Sequence, residues 1–503
     1  MNLSRRLLAQ FGLSFAALPA FAQPTPDRPA AGASLNASPF VSPPGGGLET
    51  RIGRLRFTRG YPDAGTTQLL FDNLDLQRAV QAYIWALPIV SFAEWQDQNR
   101  TVFGASETDM VLYESFKDKL GLLTANSTTP YIIGLHDVAR SGPLVIDLPA
   151  GETAGGVGDF WQRSVGDYGQ GGPDRGQGGR YLLLAPGQPD PKAAGYHVLR
   201  SSTNSVLNGF RILSTDPATG AALLAQYRVY PYAQRDNPPP TRLIRPEGRA
   251  WSSTQPRGIA FWKRLSAVLE AEPVQERDRF FMAMLRPLGI VKGQPFQPDA
   301  RQSALLEEGA LLGEATARVM DVEKRFPGAV FWEGRRWHWL MLFDVSQRQD
   351  GYDALDERAT WFYEAVGAAE SMAIRQPGPG QVYLGVNKDA GGDWLDGGRN
   401  YRLRIPANVP ARQFWSVTAY DMETRCFIDT PHERADRGSR NTLVKNADGS
   451  IDLSFGPHAP SGQDSNWVPT AEGRGWFAYF RLYYPEAAFF AKSWQLPDLE
   501  RVG

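Results

Sequence analysis

The residues of this sequence best suited to chemistry are two carboxylates and a set of amides, arginines and aromatic rings. Asp421 follows Tyr420, and Glu486 follows Tyr484-Pro485, so each acid has aromatic or apolar neighbours. Hydrolysis of a glycosidic bond by general acid–base catalysis uses two carboxyl groups, one held neutral and one ionised by different surroundings. Asp421 and Glu486 are the candidates for those roles; their structural alternatives are a turn and the first turn of a helix. The segments NSTTPY (126–131), SSTNS (201–205), Trp415 with Tyr420, Asn466-Trp467 and FRLYYP (480–485) mix flat apolar faces with hydrogen-bonding groups. Rings cover C–H faces, while amides and hydroxyls read polar edges, a mixture suited to a sugar or another neutral polar ligand. Asn126, Tyr131, Asn204, Trp415 and Asn466 are therefore candidate binding residues, against the plainer role of filling cores and satisfying loop backbone. Arg211 and Arg481 stand in strand-like apolar stretches, as buried ion-pair partners or as anion readers.

Other chemistries lack their patterns. The five histidines, His136, His197, His338, His432 and His458, lie far apart and form no H-x-H or H-E-x-x-H pair, so no metal site is expected. Asp389, Asp393 and Asp396 do not fit the calcium-loop pattern and read as a polar hairpin loop. There is no G-x-S-x-G elbow, and the glycine-rich stretch near residue 170 fits neither a phosphate loop nor a dinucleotide fingerprint. No cofactor is expected. Cys426, the single cysteine, reads as a buried thiol within TRCFID and excludes an intrachain disulfide.

The elements that must position these residues begin with DLQRAVQAYIWALPIVSFAEWQDQ, a helical pattern from Asp75 that Pro88 should kink or end. ETDMVLYESF reads as a short helix or irregular segment. YIIGLHDV and PLVIDL read as two strands joined by a turn at Arg140-Ser141-Gly142, and GRYLLLAPG and GYHVLRSSTNSVLNGFRIL add further strands. The glycine-rich connector near residue 170 reads as a long mobile loop. After a proline-rich boundary the pattern turns helical from about Gly258 to Phe326, with another helix over 354–374. From Gln381 onward, short apolar runs alternate with turns at Leu395–Gly398 and, between NTLVK and SIDLSF, at Asn446–Gly449. In FWSVTAY, Phe414, Ser416, Thr418 and Tyr420 point one way and Trp415, Val417 and Ala419 the other, with both faces at least partly covered.

A chain of 503 residues exceeds one hydrophobic core, and its 53 Lys+Arg against 54 Asp+Glu give no field for a nucleic-acid backbone. Arg5-Arg6, a short apolar run and Ala20-Phe21-Ala22 read as a Tat-like signal peptide over 1–22, predicting a periplasmic or secreted product. Residues 23–72 read as a flexible leader, and no later stretch is long and apolar enough to span a bilayer.

The motifs AYIWALPIV, NSTTPYIIGLHDV, GPLVIDLP, GRYLLLAPG and SSTNSVLNGFRIL resemble the DUF1254 domain of bacterial proteins. DWLDGGRNYRLRIP, FWSVTAYD, ADGSIDLSFG, NWVP, FRLYYPE and SWQLP resemble the DUF1214 domain that follows it in the same family. That resemblance implies a mainly β chain with α: an immunoglobulin-like β-sandwich over 73–240, a helical domain over 241–375 and a jelly-roll-like β-sandwich over 376–503. Where relatives carry Pro-Asn-x-Asp-Thr-Leu-Tyr, this chain has Thr128 at the acid's position. The functional expectation is a hydrolase acting on a glycan or other neutral polar substrate in an interdomain cleft. The alternatives are a non-catalytic ligand-binding or envelope-assembly protein, and a cofactor-dependent oxidoreductase exported folded. Expected partners are a small-molecule or oligosaccharide ligand and no nucleic acid, with a homo-oligomer left open.

Overall fold

Strands whose alternate residues are apolar must bury one face, and here they do so by facing one another in pairs of sheets. The computed structural model describes Phe40 and residues 47–503; the proposed signal peptide and its cut after Ala22 lie outside the described residues. The chain divides into two compact units between Phe71 and Asp72. In the first, Leu48–Thr50 pairs with Gly53–Leu55 and Phe57–Thr58 with Tyr61–Pro62. The Asp63 carboxylate accepts the Thr66 N–H at 2.7 Å, capping a helix that runs from Ala64 to Thr101 (α1). For residues 47–72 the flexible leader expected over 23–72 is thus corrected, while its earlier part, Phe40 apart, lies outside the described residues. Hairpins of two or three residues are too short to show as a pattern, and the cap starts the helix early.

In the second unit, one sheet is formed by β1 (Met110–Tyr113), β2 (Tyr131–Asp137), β4 (Thr153–Asp159), β5 (Ser164–Gly169), β8 (Ser205–Ile212) and β10 (Leu243–Ile244), in the order β10-β1-β2-β8-β4-β5. A second contains β3 (Leu144–Leu148), β6 (Gly179–Leu184), β7 (Tyr196–Arg200) and β9 (Arg228–Pro231), in the order β7-β6-β3-β9. Ile132, Phe210, Val157 and Tyr168 from the first meet Ile146, Leu183 and Val229 from the second in one core. Further along, β11 (His338–Trp339), β12 (Gln381–Val386), β14 (Ala411–Asp421), β15 (Asp436–Gly438) and β18 (Trp476–Pro485) form a sheet ordered β11-β12-β18-β14-β15. It faces β13 (Asn400–Ile405), β16 (Ile451–Gly456), β17 (Trp467–Pro469) and β19 (Glu500–Val502) across a core that holds Leu384, Trp415, Val417, Leu453 and Leu482.

Between the two pairs lies the largest core. It joins α1 to helices α2 (Ile259–Ala271), α3 (Ala300–Val322) and α4 (Leu355–Glu364), and to Ile133, Tyr383, Tyr420 and Tyr479 on the outward faces of the sheets. The stretch Ala82–Ala93 of α1 is buried on all sides, as an almost wholly apolar helix must be. Pro88 neither ends nor splits this helix as expected. Proline removes one donor and crowds the preceding turn, but Arg358 donates to the Trp85 carbonyl at 2.5 Å and Gln162 to the Pro88 carbonyl at 2.8 Å.

Other expectations are corrected by pairing. ETDMVLYESF contains β1, whose four residues are all buried, so no alternation marks it as a strand. β2 and β3 are no hairpin: β2 pairs with β1 and β8, β3 with β6 and β9, and a short helix, Val138–Ser141, carries the chain between sheets. The helix expected over 354–374 stops at Glu364, and Gly367 follows with φ 87°, a left-handed backbone that ends any helix. The loop near 170 is pinned by Asp174, which accepts from Gly169 N at 2.7 Å and the Tyr181 hydroxyl at 2.5 Å. NTLVK forms no strand, and β16 pairs instead with β13.

Candidate functional site

Along β2, β8 and β4 the residues alternate between two destinations. Ile132, Val206, Phe210 and Val157 point into the first β core; Tyr131, Ile133, Leu207, Gly209, Arg211, Ala154, Gly156 and Gly158 line a cavity on the other face, joined by Asp167 from β5. The same alternation acts from across the gap. Val382, Leu384, Phe480 and Leu482 fill the C-terminal core, leaving Gln381, Tyr383, Arg481 and Tyr483 on the cavity wall. Phe92 and Trp95 of α1, Leu122–Thr124 and the segment 365–372 complete its lining, and its volume is 170 Å³.

Two guanidiniums enter this mainly apolar space. Arg481 is held on three sides: Nη1 donates to Thr418 Oγ1 at 3.0 Å, Nη2 to the Thr124 carbonyl at 2.8 Å, and Cζ lies 4.9 Å from the Tyr479 ring centre. Arg211 is held on one side only, with Cζ 4.5 Å over the Tyr131 ring, and among the described residues it makes no side-chain hydrogen bond or ion pair. Burial opposes both charges, yet the oxygens of Tyr131, Tyr383 and Tyr483 favour them, and both pKa values rise. Burial likewise raises the phenols of Tyr383 and Tyr483, which stay neutral.

Tyr131 is oriented by Asn126. Its hydroxyl oxygen accepts the Asn126 backbone N–H at 2.9 Å and Nδ2–H at 2.6 Å, so its remaining capacity is to donate. Asn126 is fully engaged, since its Oδ1 also takes Thr129 N at 2.9 Å. Lys119, 5.7 Å from the Tyr131 ring centre, donates to the Thr129 carbonyl at 3.1 Å, and burial lowers its pKa to about 8. Thr128 Oγ1, at the position where the resemblance expects an acid, lies 3.4 Å from Asp436 Oδ2 on β15. Asp167 is the only carboxylate among the lining residues; burial, with Glu370 nearby, raises its pKa to about 6.

Of the residues singled out from sequence, Asn126, Tyr131, Arg211 and Arg481 come together here and the others do not. Asn204 ties the β7–β8 connection to the end of α2, donating from N to Glu272 at 2.5 Å and from Nδ2 to the Ala271 carbonyl at 2.7 Å. Trp415 packs in the C-terminal core. Asn466 bonds Val444 and Asp452 backbone carbonyls at 2.9 and 3.0 Å. The proposed acid–base pair is not a pair. Asp421 lies opposite Trp476 at one end of the β14–β18 ladder and Glu486 follows Pro485 at the other, so nine residues of strand put them about 30 Å apart. Glycosidases need roughly 5–10 Å. Burial alone would raise the Asp421 pKa, but Arg474 at 2.6 Å and the N–H groups of Glu423 and Thr424 hold it below the usual range. Glu486 is exposed ahead of a short helix, Ala487–Phe490. Cys426 is buried and its thiol is pushed up to about 12. Among the described residues no group of three or more His, Cys, Asp or Glu is placed to hold a metal ion.

Sequence reasoning passed over Asp167, Gln381 and Tyr383, and held Tyr483 only as part of FRLYYP. A signal was present for three of them, since Gln381, Tyr383 and Tyr483 alternate with apolar residues on strands assigned correctly.

Two β units with a partly open cavity between their facing outer sheets define a multi-sheet α/β protein. In sequence, the chain carries a DUF1254 domain over residues 111–231 and a DUF1214 domain over residues 380–487, both described as protein of unknown function. Among solved structures it is similar to the VPA0106 protein from Vibrio parahaemolyticus, at 18% identity and a TM-score of 0.55, over 85% of this chain and 100% of that one. That likeness shows a shared fold. An uncharacterized protein from Burkholderia cenocepacia is 12% identical with a TM-score of 0.39, over 87% of this chain and 97% of that one. No curated protein matches the sequence.

Proposed function

We propose that this protein binds a small, mainly apolar anion in the cavity between its two β units. The observation that carries this is Arg211, a half-buried guanidinium facing the cavity with a tyrosine ring beside it and no counter-charge. A cation removed from water is costly unless paired, and a ligand carboxylate would complete it bidentately. Arg481 and the donating Tyr131 hydroxyl add further donors for such a group, while Trp95, Leu207 and Met372 offer the apolar body an apolar wall.

A neutral sugar would leave Arg211 uncompensated, so the anion is preferred to the glycan expected from sequence. The hydrolytic reading also finds no paired carboxylates among the lining residues. In the same spirit, each pair of facing sheets supports an immunoglobulin-like sandwich for the DUF1254 part and a jelly-roll-like one for the DUF1214 part. Among the described residues no helix is long and apolar enough to cross a membrane, which agrees with a periplasmic or secreted product.

The test is calorimetric titration of the full chain with phenylacetate and with uncharged phenylacetamide. The acid should bind, and Arg211→Gln should weaken it by at least about tenfold, the worth of a hydrogen bond to a charged group. Equal binding of the uncharged analogue, or an unchanged affinity in Arg211→Gln, would reject the anion site.

A further inference from the structure

Strand register places a second polar group on the cavity floor, well away from Arg211. Arg211 lies opposite Ala154 and Gly209 opposite Gly156 in the β8–β4 ladder, while Gly156 lies opposite Asp167 in the β4–β5 ladder. Asp167 is therefore two strands across from Arg211 and two residues along. At about 4.8 Å per strand and 3.4 Å per residue, their Cα atoms stand about 12 Å apart, and no ion pair joins them. What lies between is almost free of side chains: Ala154, Gly156, Gly158 and Gly209 share this face of the sheet. A β-carbon at Gly156 would stand 2.8 Å from Asp167 Oδ1, so glycine there keeps the carboxylate in place and the floor flat.

We infer that the ligand is a flat molecule with two polar ends, an anionic group on Arg211 and a hydrogen-bond donor, a hydroxyl or an amine, on Asp167. The inference rests on the anion reading above and extends it to the far end of the molecule. A carboxylate only accepts, so of the neutral groups a ligand can present there, a donor is matched and an acceptor repelled. Size fits one ring with a short arm, because a cavity of about 150 Å³ already holds benzene, and this one measures 170 Å³. The protein itself supplies this carboxylate with the Ser371 backbone N–H, and a ligand donor would fill the acceptor capacity that burial withholds from water.

Four probes on the full chain decide it: phenylacetate, 4-hydroxyphenylacetate, 4-aminophenylacetate and 4-methoxyphenylacetate. The hydroxyl or the amine should tighten binding at least tenfold over phenylacetate, and whichever does so names the donor. The methoxy compound, of similar shape but unable to donate, should bind no better than phenylacetate. In Asp167→Ala the advantage of the donor should vanish while phenylacetate affinity stays within about threefold. The methoxy comparison needs no variant, so a poorly folding Asp167→Ala leaves the test intact. If phenylacetate binds through Arg211 but neither donor gains, or if methoxy gains equally, the two-ended ligand is wrong and the anion site survives. If none of the four binds, both readings fall.

Discussion

His136 shows how a single buried side chain ties pH to folding in this molecule. It is fully buried, its Nδ1–H donates to the Glu107 carbonyl at 2.9 Å, and its Nε2 accepts from Asn208 Nδ2 at 3.1 Å. Those partners define one neutral tautomer, because a proton on Nε2 would meet the Asn208 donor head-on. Burial accordingly lowers the pKa from 6.5 to about 4. A depressed folded-state pKa contributes stability that is complete above the unfolded value and is lost as pH falls through the folded one. His136 should thus withdraw about 3 kcal/mol between pH 6.5 and pH 4. Glu272, which burial raises to about 7, works in the opposite direction over the same range, so the whole-protein curve mixes the two. Subtracting the urea-unfolding curve of His136→Gln isolates the histidine. A difference that stays flat from pH 6.5 to 4 would show that His136 does not titrate in the fold.

At the scale of elements, close approach explains residues that propensity would forbid. Gly309 and Gly313 lie inside α3, where glycine costs about 1 kcal/mol against alanine. They face Ala79 and Tyr83 of α1, and a β-carbon at Gly313 would stand 2.6 Å from the Tyr83 side chain. Gly313→Leu should therefore destabilise by about 1–3 kcal/mol through overpacking, despite leucine's better helix propensity. Thermal unfolding checks this, and a raised Tm would mean the helices are not in contact there. The same scale decides what can be read from sequence. The alternation in FWSVTAY was legible: Trp415, Val417 and Ala419 join the C-terminal core, and Tyr420 joins the central one. So was α3, whose apolar repeat runs unbroken for six turns. β1 was not, because a strand buried on both faces carries no alternation, and the β2–β3 link was misjudged because periodicity says nothing of which strands pair. Asn126, Tyr131, Arg211 and Arg481 could be picked by type and context. Asp167 could not, since only register, a relation between distant segments, brings it onto the same floor.

For the molecule as a whole, the central core decides how the parts stand or fall together. Ile133 and Leu135 of the DUF1254 part, Tyr383, Phe477 and Tyr479 of the DUF1214 part, and α1 through α4 share one buried cluster rather than meeting at a wet seam. The cavity is lined by elements of both β units, so the proposed ligand would touch both and favour the assembled state. From Asp72 onward the protein should then unfold in a single transition, with far-ultraviolet dichroism and tryptophan fluorescence coincident. A saturating ligand should move that transition as one. At a free concentration one hundred times its dissociation constant, the stabilisation is about 2.7 kcal/mol. Two separated transitions, only one of them shifted by phenylacetate, would mean that the β units fold independently and that the cavity belongs to one of them. A single shifted transition in the wild type that no longer responds in Arg211→Gln would tie the stabilisation to the guanidinium, because linkage transmits to folding only what the ligand gains from the native site.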